Sequence, residues 1–180
     1  MRWLTVAVFL ASCEQKNPFD PKNQPPPGPP PEVVGVDPDK FDCKAFLPEA
    51  DVSAVAMGKV EWVMSGYPPA PGRPQPCNYL LETDPSQAWG ISFDCRERGA
   101  TEAEAQMATK QGLPDTRPLT VGKKAIDHSK AQLIFLDDDT PCAVWIVGPT
   151  DISRAALARM VAAKLTMKTA PMTPRAASRR

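Results

Sequence analysis

Three sets of residues in the chain have side chains suited to chemistry: one histidine, a run of three aspartates and five cysteines. His128 stands between Asp127 and Ser129, so the residue types of a hydrolytic triad lie side by side. Neighbouring side chains on a strand point to opposite faces, and triad members meet through the fold, not through adjacency. The run therefore reads as a polar hairpin turn. Asp137, Asp138 and Asp139 offer the hard carboxylate oxygens that calcium prefers. Calcium loops, however, place their ligands at alternate positions around a glycine, and neither feature is present. A solvated turn between two apolar strands is the better reading. No GxSxG elbow, HExxH helix or phosphate-cradling glycine loop occurs in the sequence. The chain points away from an enzyme and supplies no residue set for a cofactor or a metal.

The cysteines say more. Cys43, Cys77, Cys95 and Cys142 form an even set with spacings of 34, 18 and 47. Structural zinc sites usually bring ligands as CxxC pairs, which these spacings lack, whereas disulfides need an oxidising compartment. Disulfides are expected, and four cysteines leave three pairings open. Cys13 is the leftover of an odd count.

The stretch before Cys13 explains it. MRWLTVAVFLASC has a charged start, an apolar run from Trp3 to Leu10 and small residues ahead of the cysteine, which are the parts of an export signal. The run is far short of the roughly 20 residues that span a bilayer. Leu10-Ala11-Ser12-Cys13 resembles the lipobox of bacterial lipoproteins. The resemblance implies that residues 1–12 are a signal peptide and that Cys13 becomes the lipidated first residue, carrying palmitate-type chains. It also implies that the protein sits in the cell envelope, anchored on the exported side of a bacterial membrane. Each buried methylene contributes about 0.8 kcal/mol, and two or more chains anchor stably. Glu14 follows, where Asp is the usual inner-membrane retention signal of such lipoproteins, which tilts the expectation toward the outer membrane.

Residues 13–40 hold the lipidated cysteine and a proline-rich tether, EQKNPFDPKNQPPPGPPPEVVGVDPDK. Proline at this density favours extended polyproline II, so the tether reaches at most about 80 Å at about 3.1 Å per residue. A spacer is the first reading and a PxxP ligand the second. The chain carries 21 basic and 21 acidic residues, but Lys168, Arg175, Arg179 and Arg180 lie in a final stretch without acids. The rest is acidic, which excludes a basic nucleic-acid surface.

The elements that must position these groups fall in residues 41–168. Pro48 to Met57 reads as a short helix with Pro48 in its first turn and Gly58 as its C-terminal cap. Strand-like runs follow at 59–64, 77–82 and 88–94; in the last, Trp89, Ile91 and Phe93 alternate with Gly90, Ser92 and Asp94. Thr101 and Glu104 fit a capping box opening a helix that stops at Gly112. Strands LTVGKKAI, AQLIFLD and CAVWIVG precede a helix from Asp151 to Met167, with Ile152, Ala156, Met160 and Leu157, Val161, Leu165 as one apolar stripe. Short hairpin-length gaps argue for an α+β fold, one antiparallel sheet with helices packed on it. Residues 169–180, polar, basic and broken by proline, read as a disordered basic tail.

Two internal patterns bear on the pairing. Phe41-Asp42-Cys43 recurs as Phe93-Asp94-Cys95, Gly58-Lys59 as Gly122-Lys123, and Pro76-Cys77 as Pro141-Cys142. The shared order suggests two helix-strand-strand halves and selects one bridge per half, Cys43–Cys77 and Cys95–Cys142. A Cys77–Cys95 bridge between neighbouring strands is the main rival. Separately, Cys43, Phe46, Leu47, Pro48, Val52, Val55 and Gly58, with Pro76-Cys77-Asn78-Tyr79, resemble the opening of a family of small cysteine-paired actinobacterial lipoproteins of unknown function. That resemblance implies a fold and a location and no catalytic residue.

The expected function is that of a membrane-anchored, non-catalytic binding or assembly module for another envelope protein. Tyr67 and Arg73 in the loop SGYPPAPGRPQP offer a contact patch, both types being enriched at interfaces. A small-ligand sensor or carrier, the alternative, would need a deep apolar cavity between helices and sheet; a hydrolase ranks third.

Overall fold

Seven antiparallel strands make the sheet on which the described helices pack. The computed structural model describes residues 33–172 except 97 and 129–131, and also 175 and 176. The expected export signal, Cys13, the expected tether as far as residue 32, and Ser129 lie outside the described residues.

In chain order the elements are β1 (Val33–Val34), α1 (Cys43–Phe46), α2 (Glu49–Ala56), β2 (Val60–Val63), β3 (Cys77–Leu81), β4 (Asp84–Asp94) and α3 (Gly99–Lys110). They continue with β5 (Thr116–Leu119), β6 (Lys124–His128), β7 (Gln132–Leu136), β8 (Ala143–Val147), α4 (Asp151–Lys164) and β9 (Arg175–Ala176). The large sheet has the order β2-β3-β4-β8-β7-β6-β5, and the expected α+β architecture is borne out.

Alternation along the strands assigns the two faces. Tyr79, Trp89, Ile91, Phe93, Leu133, Phe135, Val144 and Ile146 share one face, buried with Leu47 beyond α1, Val52 of α2, and Leu157, Ala158 and Val161 of α4. Each such large side chain contributes roughly 1.5–3 kcal/mol by leaving water. Tyr79 keeps its polar end satisfied by donating its hydroxyl to the Leu47 carbonyl at 2.5 Å. On the opposite face Ile126, Ile134, Leu136, Ala143 and Trp145 are buried against Ala103 and Met107 of α3. Strand β7 is therefore covered on both sides, which is why its LIFL run is apolar without interruption.

Local chemistry accounts for the ends of elements and for several differences from the sequence reading. The left-handed position closing α2 falls on Met57 (φ 55°), one residue before the expected Gly58. Helix α3 begins at Gly99 without a side-chain cap, so Thr101 and Glu104 form no capping box and both lie exposed within the helix. The expected strand 119–126 is two strands, broken at Gly122 (φ 59°), where an added Cβ would lie 2.0 Å from the Leu136 carbonyl oxygen. Helix α4 stops at Lys164, with the Thr150 hydroxyl accepting the Ser153 N–H at 3.1 Å at its start. Its buried stripe is Arg154, Leu157, Ala158, Val161 and then Leu165, while Ile152 is 78% exposed.

Helix α2 lies along the outer edge of β2. Ser53 Oγ accepts the Val60 N–H at 3.1 Å and Glu49 Oε1 accepts the Trp62 N–H at 3.0 Å. The opposite edge strand, β5, contains Pro118.

Both disulfides have the expected pairing, Cys43–Cys77 and Cys95–Cys142. The echo that selected them does not mark equivalent places, however. Gly58 to Cys77 encloses β2 and a loop, whereas Gly122 to Cys142 encloses both β6 and β7. The second bridge instead joins neighbouring strands at the middle of the sheet, one residue beyond the Asp94–Ala143 pair of β4 and β8.

The domain also extends past its expected limits. The sequence places residues 33–36 in the tether and 169–180 in a disordered tail, yet 33–36 are bonded to 167, 170, 171, 175 and 176, while 173, 174 and 177–180 lie outside the described residues. β1 pairs antiparallel with β9, Val33 opposite Ala176 and Val34 opposite Arg175. Gly35 N–H donates to the Met167 carbonyl at 2.6 Å and Val36 N–H to the Ala170 carbonyl at 2.9 Å. Ala170 is fully buried. The prolines obscured this in the sequence, but Pro171 has no N–H to satisfy and so is buried there without that cost.

Candidate functional site

The sheet is covered unevenly. Helices α1, α2 and α4 close one face, whereas α3 packs on the other over β6, β7 and β8. Over β2, β3 and β4 that second face presents Glu61, Val63, Asn78, Leu80, Ala88 and Ser92 in alternate register, with Val147 of β8 beside them. Val147 is 42% exposed, and Val63, Asn78, Leu80 and Ser92 are half-buried. The strip is mixed, with Val63, Leu80, Ala88 and Val147 apolar, Asn78 and Ser92 polar, and Glu61 charged on the edge strand.

One border of the strip is the loop 64–76, and an ionic cluster holds that loop. Asp94, on the same face at the end of β4, has no exposure to solvent. It accepts from Arg73 Nε at 2.8 Å and also from Arg73 Nη2. Arg96 donates to it through its backbone N–H at 3.1 Å, Nε at 2.8 Å and Nη2 at 2.7 Å. Arg73 reaches on to Glu102 of α3 at 2.9 Å and lies over the Trp145 ring, 5.7 Å from its centroid. Trp145 in turn donates its indole N–H to Gln106 at 2.9 Å. Burial works to raise the Asp94 pKa, but the hydrogen bonds from Arg96 and Arg73 outweigh it and hold the carboxyl below the usual aspartate value. Gly99 permits the close approach, since a Cβ there would lie 2.5 Å from the Asp94 carbonyl oxygen. The cluster fixes the loop as a rim of the strip.

The expected contact patch is thereby divided. Tyr67 is 82% exposed, and Met64 beside it 73%. Arg73 is instead spent on Asp94 and Glu102 and serves to hold the loop in place.

The residues with catalytic types are separated by the fold. Asp127 points to the face under α4, where Arg154 binds it bidentately, Nε to Oδ1 at 2.7 Å and Nη2 to Oδ2 at 3.1 Å. Arg154 Nη1 also donates to the Gly148 carbonyl at 2.8 Å. His128 points the other way, its Nδ1 3.0 Å from Thr116 Oγ1. Because that hydroxyl gives its proton to the Lys110 carbonyl at 2.9 Å, the imidazole is the donor of the pair. Asp137 is consumed in its own turn, accepting from Thr140 N–H at 2.9 Å, Thr140 Oγ1 at 2.8 Å and Asp139 N–H at 3.2 Å. Asp138 and Asp139 are exposed. Among the described residues no group of three or more His, Cys, Asp or Glu side chains is placed to hold a metal ion.

Sequence reasoning missed Arg154, Asp94 and Arg96, and with them the strip. The signal for Arg154 was its spacing of three and four from Leu157 and Ala158 in the apolar stripe. Compared with known families, curated proteins and solved structures, the chain matches none. No helix among the described residues is long and apolar enough to cross a membrane.

Proposed function

We propose that the protein is a lipid-anchored bacterial envelope lipoprotein whose domain binds another envelope component and catalyses no reaction. The binding half rests on one observation, the uncovered strip over β2–β4 with Val147 on it and Met64 and Tyr67 on the adjoining loop. Exposed apolar and aromatic groups set on a rigid sheet, rimmed by a loop that a buried ion cluster holds still, favour association because little ordering entropy is lost on contact. The side chains of Asp127, Asp137 and Arg73, which have chemical potential, are already engaged in holding the fold. The anchor half rests on the lipobox and on the odd cysteine that it accounts for.

Photocrosslinking in cells tests the binding half. A crosslinking residue at Tyr67 or Val147 should give the same discrete adduct, and one at exposed Lys123 should not. Absence of an adduct at both strip positions would overturn the reading. For the anchor half, the wild-type chain should fractionate with membranes and Cys13→Ala should not. An unmodified Cys13 by mass spectrometry would refute it.

A further inference from the structure

The loop 64–76 contains a stretch whose backbone shape follows from covalent geometry. In Tyr67-Pro68-Pro69-Ala70-Pro71 each proline has its φ held at about −65° by its ring. Tyr67, Pro68 and Ala70 each precede a proline, which drives them out of the helical region into extended backbone. The two restrictions meet in polyproline II, a left-handed helix with about three residues per turn. That period sorts the side chains into three rows: Tyr67 with Ala70, Pro68 with Pro71, and Pro69 by itself. Exposure follows the rows. Tyr67 is 82% exposed and Pro68, Ala70 and Pro71 are exposed as well, whereas Pro69 is half-buried. The dipeptides Tyr67-Pro68 and Ala70-Pro71 are thus open to a partner, while the residue between them leans on the domain.

The segment is held at both ends. Arg73 N–H donates to the Ala70 carbonyl at 3.0 Å, with Pro71 and Gly72 between them and Gly72 at φ 75°, the arrangement of a type II turn. Ser65 Oγ accepts the Tyr67 N–H at 3.3 Å. Beyond the turn Arg73 is bound to Asp94 and Glu102, and Cys77 is bridged to Cys43. Residues 64–72 include no charged side chain in a chain that is 23% charged, so the surface complementary to them is an uncharged one.

We infer that segment 67–71 is a preformed polyproline II ligand, and that its partner is a protein presenting an uncharged groove lined by aromatic side chains. The inference deepens the reading of the domain as a binding module and rests on it. Such grooves take proline-rich segments because the ligand has little conformational freedom left to lose. The pyrrolidine rings of Pro68 and Pro71 pack against the aromatic rings of the groove, and Tyr67 adds a large contact with a polar tip.

The test uses the full-length chain in cells, with a photocrosslinking residue at Met64, which is 73% exposed and lies outside the segment. A discrete protein adduct is expected. Pro68→Ala together with Pro71→Ala should lower its yield about tenfold, since two ring contacts and the fixed backbone are both lost. An unchanged melting curve of the purified double variant would show that it keeps its fold. In permeabilised cells the free peptide SGYPPAPG should compete the adduct away, and the same peptide built from D-amino acids, which winds in the opposite hand, should not. The peptide arm uses the unaltered loop and needs no variant to fold. Equal yield from parent and double variant would overturn the inference, as would equal competition by the two peptides or an adduct with a glycan or a lipid. Any of these results together with a persisting Val147 adduct leaves the binding role standing, whereas absence of adducts at Met64, Tyr67 and Val147 alike refutes that role and this inference with it.

Discussion

Arg154→Met removes the guanidinium from a pair that has almost no contact with water, the two side chains being 1% and 3% exposed. The hydrogen bonds lost include two to the Asp127 carboxylate and one to the Gly148 carbonyl. The larger loss is that Asp127 is left buried without its counter-charge, which costs about 3–5 kcal/mol. Set against a margin of about 5–15 kcal/mol for a domain, this is a large part of the whole. Urea denaturation at neutral pH with the disulfides intact measures it by far-UV circular dichroism and tryptophan fluorescence. Trp89 is a local reporter, because its Cδ1 lies 3.0 Å from where a Gly148 Cβ would be. The midpoint should fall with little change in slope. Asp127→Leu combined with Arg154→Met should be considerably more stable than Arg154→Met alone, since apolar replacement of a buried pair is often neutral or better. A single-variant cost under about 1 kcal/mol, or double-variant costs that simply add, would refute the account.

Asp94→Asn should cost about 2–3 kcal/mol at neutral pH, because hydrogen bonds to charged groups are the strong ones. With its pKa depressed in the folded state, the Asp94 contribution is complete above the unfolded value near about 3.9 and is lost as pH falls through the lower folded value. The substitution should therefore flatten the acid side of the stability curve, and a curve parallel to wild type would count against the cluster. Replacing Cys95 and Cys142 by serine should cost up to roughly 4 kcal/mol by the chain-entropy estimate, and non-reducing peptide mapping of the wild-type chain should recover no Cys77–Cys95 peptide. Gly122→Ala should destabilise by more than about 1 kcal/mol in the same denaturation assay, given its positive φ and the Leu136 oxygen in the way. His128→Ala should change stability by less than about 1 kcal/mol and leave the cellular role intact, as it removes one half-exposed hydrogen bond.

What could be read from the sequence depended on how local its cause was. Trp89, Ile91 and Phe93 announced β4 because one face of that strand is buried and the period of two survives. The four disulfide cysteines were legible as a set, and an imperfect echo still chose the right pairs. Arg154 was not legible as a core residue, because a charged residue in a helix ordinarily marks the wet side, and only Asp127, 27 positions away, reverses that. Arg73 and Asp94 are 21 positions apart and meet only when β3 and β4 have paired. The grip of 167–170 on Gly35 and Val36 is made by backbone groups, so side-chain patterns carry no trace of it. The strip over β2–β4 escaped for a related reason: strand alternation shows which residues share a face, but not which helix fails to reach it.

The bonds from Ser53 and Glu49 to the outer side of β2, and Pro118 in β5, have a consequence for crowding. A sheet edge with free amide groups templates the addition of foreign strands, and crowding of copies makes such pairing more frequent. Here the outward N–H groups of Val60 and Trp62 are already occupied by α2 side chains, and the opposite edge holds a residue with no N–H to offer. Neither margin is a ready template for strand addition, so densely packed copies have less tendency to zip into fibres. Backbone pairing, which would accept almost any sequence, is thus disfavoured at both margins, whereas the open face offers side chains that would set specificity.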